Sequence, residues 1–362
     1  MIKVPSYIET LKPYKSGNKL DKKLSQEEFK KLINLASNEN PLGPSPLAVE
    51  AIQNHQMNLN KYPDPSAPDL VEALAKDTNR KPEEIVTGHG SDSLIQYIFN
   101  AFAEKGDEIL TADATFIGTY VNANKFGLTT KKLPLTSDYR FDLPNIAKAI
   151  SDKTKIIYLA NPNNPTGTMF TKKEFDDFIK LVPNNILIVL DEAYWIYAEQ
   201  NEEYPNGLSY DLPNIIVLRT MSKSYGLAGL RIGYAIAREE LINYIYRVKL
   251  PFEPHSLAQI AAIAALNDKE YLSDTLETNL QSILTLCDGI DKLNIERTVP
   301  AANFTMMIFE NEAKAKSIVD GFLDNGIITR HLPMFGLPNA VRISTGTVPE
   351  TEKAMSILKK IY

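Results

Sequence analysis

Between about residues 45 and 250, short apolar runs alternate with segments whose apolar positions recur every three or four residues. Ile156-Ile157-Tyr158-Leu159-Ala160, Ile186-Leu187-Ile188-Val189-Leu190 and Ile215-Ile216-Val217-Leu218 carry no charge, as strands buried on both faces do. Ile85-Val86-Thr87, Glu108-Ile109-Leu110-Thr111 and Lys132-Leu133-Pro134-Leu135 predict further short strands. After Gly88-His89-Gly90-Ser91-Asp92, the spacing of Leu94, Ile95, Ile98 and Phe99 predicts a helix with Ser91 or Asp92 as its N-cap. Thr171-Lys172-Lys173-Glu174 predicts a capping box ahead of Phe175, Phe178 and Ile179. Such alternation points to a mostly parallel sheet covered by helices.

The pattern changes near Pro251. Residues 256–293 read as helix, alanine-rich from Ala258 to Leu266 and then amphipathic around Leu276, Leu280, Ile283 and Leu284. A strand at Phe304–Phe309, a helix over about 312–325, a strand at Val341–Ser344 and a terminal helix complete a smaller α+β unit. The expected division is an N-terminal arm (1–30), a large cofactor-binding domain (31–250), and a small C-terminal domain (251–362) joined by part of the N-terminal segment.

At 362 residues, two domains are expected from size alone. A net charge of −6 without a basic stripe argues against nucleic acid as a partner. The single cysteine, Cys287, allows no intrachain disulfide. The first 30 residues hold seven lysines and no long apolar segment. With no run near the roughly 18 apolar residues of a membrane span, a cytoplasmic protein is expected. The histidines (His55, His89, His255, His331) show no ligand spacing, so no metal is expected.

Three polar segments follow the apolar runs. Thr220-Met221-Ser222-Lys223-Ser224-Tyr225-Gly226 leads to Arg231. An amine there can join an aldehyde while hydroxyls, backbone N–H groups and a guanidinium hold a phosphate, which describes pyridoxal 5'-phosphate. Asp191-Glu192-Ala193-Tyr194 puts a carboxylate at a strand end, costly to bury unless a cation such as a protonated pyridine nitrogen meets it. The third is Asn161-Pro162-Asn163-Asn164-Pro165-Thr166-Gly167. Ligands sit beyond the carboxyl ends of such strands. A nucleotide-binding module is disfavoured, because no Walker loop or G-x-G-x-x-G follows a strand.

In this order the three segments resemble fold-type-I pyridoxal-phosphate aminotransferases over nearly the whole chain. Leu35–Gly43, Leu59–Asp64 and Val341–Thr347 are similar to the histidinol-phosphate aminotransferase branch. The resemblance implies an aspartate-aminotransferase-like large domain with a seven-stranded sheet. It makes Lys223 the amine that releases substrate and moves the α-proton, and sets Asp191 against the pyridine nitrogen. Tyr194 and Asn164 face the ring oxygen, and Phe116 stacks on the ring. Gly90, Ser91, Asp92, Thr220, Ser222 and Arg231 hold the phosphate. Tyr62 reaches it from the partner subunit of a homodimer with shared sites. Arg342 grips the anionic end of the substrate, Arg330 is an additional cation, and Tyr14 and Asn38 line the pocket.

The implied reaction is transamination between histidinol phosphate and 2-oxoglutarate, a small-molecule amino donor and a 2-oxo acid. Three departures bear on it: Ser93 stands for the family's usual Glu, Ala114 for a common proline, and His331–Pro338 is similar to members that accept aromatic amino acids. An aromatic aminotransferase or a threonine-phosphate decarboxylase-like enzyme is the alternative on the same scaffold.

Overall fold

The computed structural model describes residues 2–9, 11, 32–55 and 60–362. Its strands are β1 (Ile33–Asn34), β2 (Ile85–Gly88), β3 (Glu108–Ala112), β4 (Thr129–Leu133), β5 (Thr154–Ala160), β6 (Leu187–Asp191), β7 (Ile215–Thr220), β8 (Gly233–Ile236), β9 (Glu296–Arg297), β10 (Phe304–Ile308), β11 (Ile327–Ile328), β12 (Arg330–His331) and β13 (Ala340–Ser344). A seven-stranded sheet has the order β2-β8-β7-β6-β5-β3-β4. Only β8 runs against its neighbours, β2 and β7. The other six strands therefore end at one edge of the sheet.

The apolar runs become central strands for the expected reason. Every residue of β6 and β7 is buried, with helices filling the space on the sheet faces. Leu94, Ile95, Ile98 and Phe99 of the helix Gly90–Phe102 enter the same core as β5 and β6. The capping box forms in both directions between Thr171 and Glu174. One strand is displaced from expectation: β4 is Thr129–Leu133 rather than 132–135. It is a half-exposed edge strand without an apolar run, and Pro134, lacking an N–H, lies just beyond it.

Beyond the large sheet, β12-β13-β10-β9 form an antiparallel sheet, and β1 pairs in parallel with β11. The segment expected as one helical region is two helices, Ser256–Asn267 and Lys269–Asp291. Asp268 separates them, capping the second through Tyr271 N–H and accepting from Ser45 Oγ at 2.6 Å. The buried stripe of the long helix is Tyr271, Thr275, Ser282, Leu286 and Ile290, while Leu280 and Leu284 face outward. The hydrophobic pattern could not find this face, because its Ser282 is buried through a hydrogen bond to Gly346 O.

The helix Ser256–Asn267 packs with Ala48, Leu70, Ile85 and Ile236, in the core beside β2 and β8. We propose that the large unit runs to Asp268 rather than to 250, and that residues from Ile33 into Leu35 belong with the small unit. Leu35 shares its core with Met307, Ile327 and Val341. The proposed arm, 1–30, lies mostly outside the described residues.

Candidate active site

The common strand edge opens into two adjoining cavities. The inner one, of about 340 Å³, is lined by Ser91, Asp92, Phe116, Asn164, Asp191, Tyr194, Thr220, Ser222, Lys223 and Arg231, among others. The outer one, of about 540 Å³, shares Asp92, Phe116, Asn164, Tyr194, Lys223 and Arg231 and adds Asn38, Arg330 and Arg342. Residues more than 300 positions apart thus meet because the strand-end loops converge there.

At the floor is Asp191, 5% exposed. Its Oδ2 accepts from Tyr158 Oη at 2.5 Å and its Oδ1 from Ala193 N–H at 3.0 Å. Burial, with the Glu192 and Asp92 carboxylates nearby, pushes its pKa up to about 6 against the pull of those two hydrogen bonds. Among the described residues no lysine, arginine or histidine forms an ion pair with it. A protonated ring nitrogen is a partner this carboxylate fits.

Lys223 follows β7 and donates to Ser37 O at 3.3 Å, with Nζ 5.7 Å from the Tyr194 ring centroid. Tyr194 Oη accepts from Asn38 Nδ2 at 2.9 Å, which leaves its own proton to donate. Asn38 is anchored from the other side, its Oδ1 accepting from Ser344 Oγ at 2.7 Å. Thus Asn38 lines the outer cavity as expected and also orients Tyr194.

A second cluster combines donors suited to an anion. Arg231 Nη1 lies 3.4 Å from Ser222 Oγ, and Thr220 Oγ1 is 3.0 Å from the same oxygen. The helix begins at Gly90, so Ser91 and Asp92 fill its first turn instead of capping it. Gly90 has φ +78°, and a Cβ there would lie 2.7 Å from Arg231 Nη2. The absent side chain lets the helix start and the guanidinium approach each other, a geometry suited to phosphate. Gly90 itself is behind the cavity wall. The Asp92 carboxylate instead accepts from Asn122 Nδ2 at 3.0 Å.

The small sheet contributes the cations. Arg342, 5% exposed, donates from Nη1 to Asn164 Oδ1 and from Nη2 to Ala36 O, both at 2.5 Å. Arg330 pairs directly with it across β12–β13. Gly167 (φ +76°) closes the loop carrying Asn164, where a Cβ would stand 2.9 Å from Phe304 O in β10.

Besides Gly90, two expected residues are not placed in these cavities. Tyr14 lies outside the described residues. Tyr62 is 81% exposed, its ring stacked on Phe252 at 4.4 Å. His331 bonds Pro338 O at 2.6 Å, on the surface. Among the described residues no group of three or more His, Cys, Asp or Glu could hold a metal, and no helix is long and apolar enough to cross a membrane. Reading the sequence missed Tyr158, Ser37, Asn122 and Lys125. Only Tyr158 left a signal, a hydroxyl inside the otherwise apolar run 156–160.

A model of the aminotransferase class I and II family matches residues 30–358. Histidinol-phosphate aminotransferase 2 of Hydrogenovibrio crunogenus is 40% identical over 98% of this chain and 95% of that protein. The crystal structure of histidinol-phosphate aminotransferase from Sinorhizobium meliloti in complex with pyridoxal-5'-phosphate superposes with a TM-score of 0.89, at 27% identity, covering 100% of this chain and 99% of that one. Thermus thermophilus aspartate aminotransferase shares the fold, with a TM-score of 0.83 at 20% identity and full coverage of both chains. With its sheet, its strand-edge lysine and carboxylate, and these likenesses, the chain belongs to the aminotransferase class I and II family.

Proposed function

We propose that this enzyme uses pyridoxal 5'-phosphate to move an amino group between L-histidinol phosphate and 2-oxoglutarate, giving imidazole acetol phosphate and glutamate, in histidine biosynthesis. The observation that carries the substrate is the pairing of Arg330 with Arg342 on adjacent strands. Both guanidinium groups line the outer cavity, and two cations suit a phosphate dianion better than a single carboxylate. The name of the 40%-identical relative supports the same substrate.

When bound, the coenzyme supplies an electron sink for the bond broken at the substrate's amine-bearing carbon. Lys223 holds the coenzyme and takes the proton from that carbon. Asp191 keeps the ring nitrogen protonated, and Asn164 and Tyr194 donate to the ring oxygen. Phe116 packs on the ring. Ser91, Asp92, Thr220, Ser222 and Arg231 bind the coenzyme phosphate. Tyr62 reaches that phosphate from the partner subunit of a homodimer, which accords with its exposure here. The substrate's anionic arm lies against Arg330 and Arg342, with Asn38 at its side.

Two measurements test this. Borohydride reduction of the coenzyme-loaded protein, followed by peptide mapping, is expected to tag Lys223. Comparison of kcat/KM for histidinol phosphate with that for phenylalanine and tyrosine is expected to favour the phosphate ester by more than about tenfold, a modest margin for a site built around a polar group. A preference for the aromatics defeats the substrate assignment.

A further inference from the structure

Tyr158 lies fully buried in β5 between Ile157 and Leu159. The β5–β6 register sets Ala160 beside Asp191. Tyr158, two residues back on the same face, therefore reaches Asp191 diagonally. A phenylalanine would fill the same space, and a buried hydroxyl is costly unless it is bonded. This hydroxyl donates to Asp191 Oδ2 at 2.5 Å. Its bond is charge-assisted, and with the Ala193 N–H on Oδ1 it fixes the carboxylate at both oxygens.

We propose that Tyr158 is a positioning residue whose hydroxyl keeps the Asp191 carboxylate ionised and turned toward the cavity, and so sets how strongly the site selects a protonated ring nitrogen. The proposal rests on the reading above, that a coenzyme pyridine meets Asp191. The charged groups around the carboxylate make the hydroxyl necessary. Glu192 and Asp92 both oppose the charge on Asp191, and burial opposes it more. Among the described residues, the Ala193 N–H makes the one other hydrogen bond to the carboxylate that would stand against them.

The test compares the affinity of the full-length chain for pyridoxal 5'-phosphate with that for its 1-deaza analogue, in which CH replaces the ring nitrogen. Fluorescence titration reads both without turnover. Wild type is expected to prefer the natural coenzyme. Tyr158→Phe is expected to lower that preference about tenfold, the worth of one hydrogen bond to a charged group, with affinity for the deaza analogue unchanged. An unchanged preference, or equal loss of both affinities, overturns the proposal, since a merely structural tyrosine would act on both ligands alike. Should Tyr158→Phe not fold, 3-fluorotyrosine installed at position 158 keeps the shape and strengthens the donor. The preference is then expected to rise, and an unchanged value overturns the proposal. A wild-type chain that holds both ligands equally overturns the parent reading instead, and this inference with it.

Discussion

Arg342 Nη1 donates to Asn164 Oδ1 at 2.5 Å, joining the small antiparallel sheet to the loop that leaves β5. The bond engages the amide oxygen, so the group Asn164 has left to offer a ligand is its Nδ2 donor. One contact thus joins the proposed substrate cation to the proposed coenzyme donor. Asn164→Ala is therefore expected to raise KM for both the amino donor and the oxo acid as well as to lower kcat. A double-mutant cycle with Arg342→Lys should give a coupling of about 1–3 kcal/mol, as contacting residues do. Additive losses would place the two in separate roles.

Arg330 and Arg342 should separate by substrate. Arg342→Lys loses a planar, bidentate donor and is expected to impair both half-reactions by about 2 kcal/mol in transition-state stabilisation. Arg330→Gln is expected to cost a similar amount with histidinol phosphate and little with glutamate. Single-turnover kinetics with each amino donor checks this, and equal losses with both would remove the special link between Arg330 and phosphate.

Asp191 sets a pH dependence of the coenzyme-free protein. Its folded pKa of about 6 lies above the ordinary aspartate value of 3.8. The folded state therefore holds the proton more tightly than the unfolded chain does. The resulting penalty is absent below pH 3.8, grows as pH rises toward 6, and stays full above that. Asp191→Asn, which keeps an acceptor for Tyr158, is expected to stabilise the apoprotein above pH 6 by up to about 3 kcal/mol while weakening coenzyme binding. Urea unfolding of both proteins at pH 5 and 7.5 measures the difference, and a variant no more stable at the higher pH contradicts it.

Beside Asp191, Glu192 and Arg219 form a buried pair. Arg219 Nε and Nη2 donate to Glu192 Oε2 at 2.9 and 2.8 Å, and Gly207 N–H to Oε1 at 2.6 Å. The guanidinium also covers the Trp195 ring, its Cζ 3.7 Å from the centroid. Glu192→Gln leaves that guanidinium buried and uncompensated, so a loss of about 3–5 kcal/mol is expected in urea unfolding. Replacing both residues by apolar ones of similar size should cost much less.

Tyr62 carries the assembly prediction. Its exposed stack on Phe252 leads to the expectation of a dimer by analytical ultracentrifugation. Tyr62→Phe should weaken coenzyme affinity without altering the dimer. A fully active monomer would show Tyr62 to be misassigned.

How much was legible follows from where each signal lies. Asp191, Lys223 and Asn164 each stand in polar segments immediately after apolar runs, so strand and strand-end chemistry could be read together. The need for glycine at the Gly90 helix start could not, because the atom a side chain there would meet belongs to Arg231, 141 residues away. The packing face of Lys269–Asp291 was hidden because Thr275 and Ser282 are buried through hydrogen bonds rather than apolarity.

Local chemistry and period pointed to the central strands, the side chains at their carboxyl ends and the coenzyme those side chains suit, while the reaction to expect came from the resemblance to aminotransferases. Tertiary structure decided which of those side chains touch. The register of β5 on β6 brought Tyr158 to Asp191, and that of β12 on β13 brought Arg330 to Arg342. Such pairings are set by the global balance of backbone hydrogen bonding and core packing, which no short stretch of chain contains.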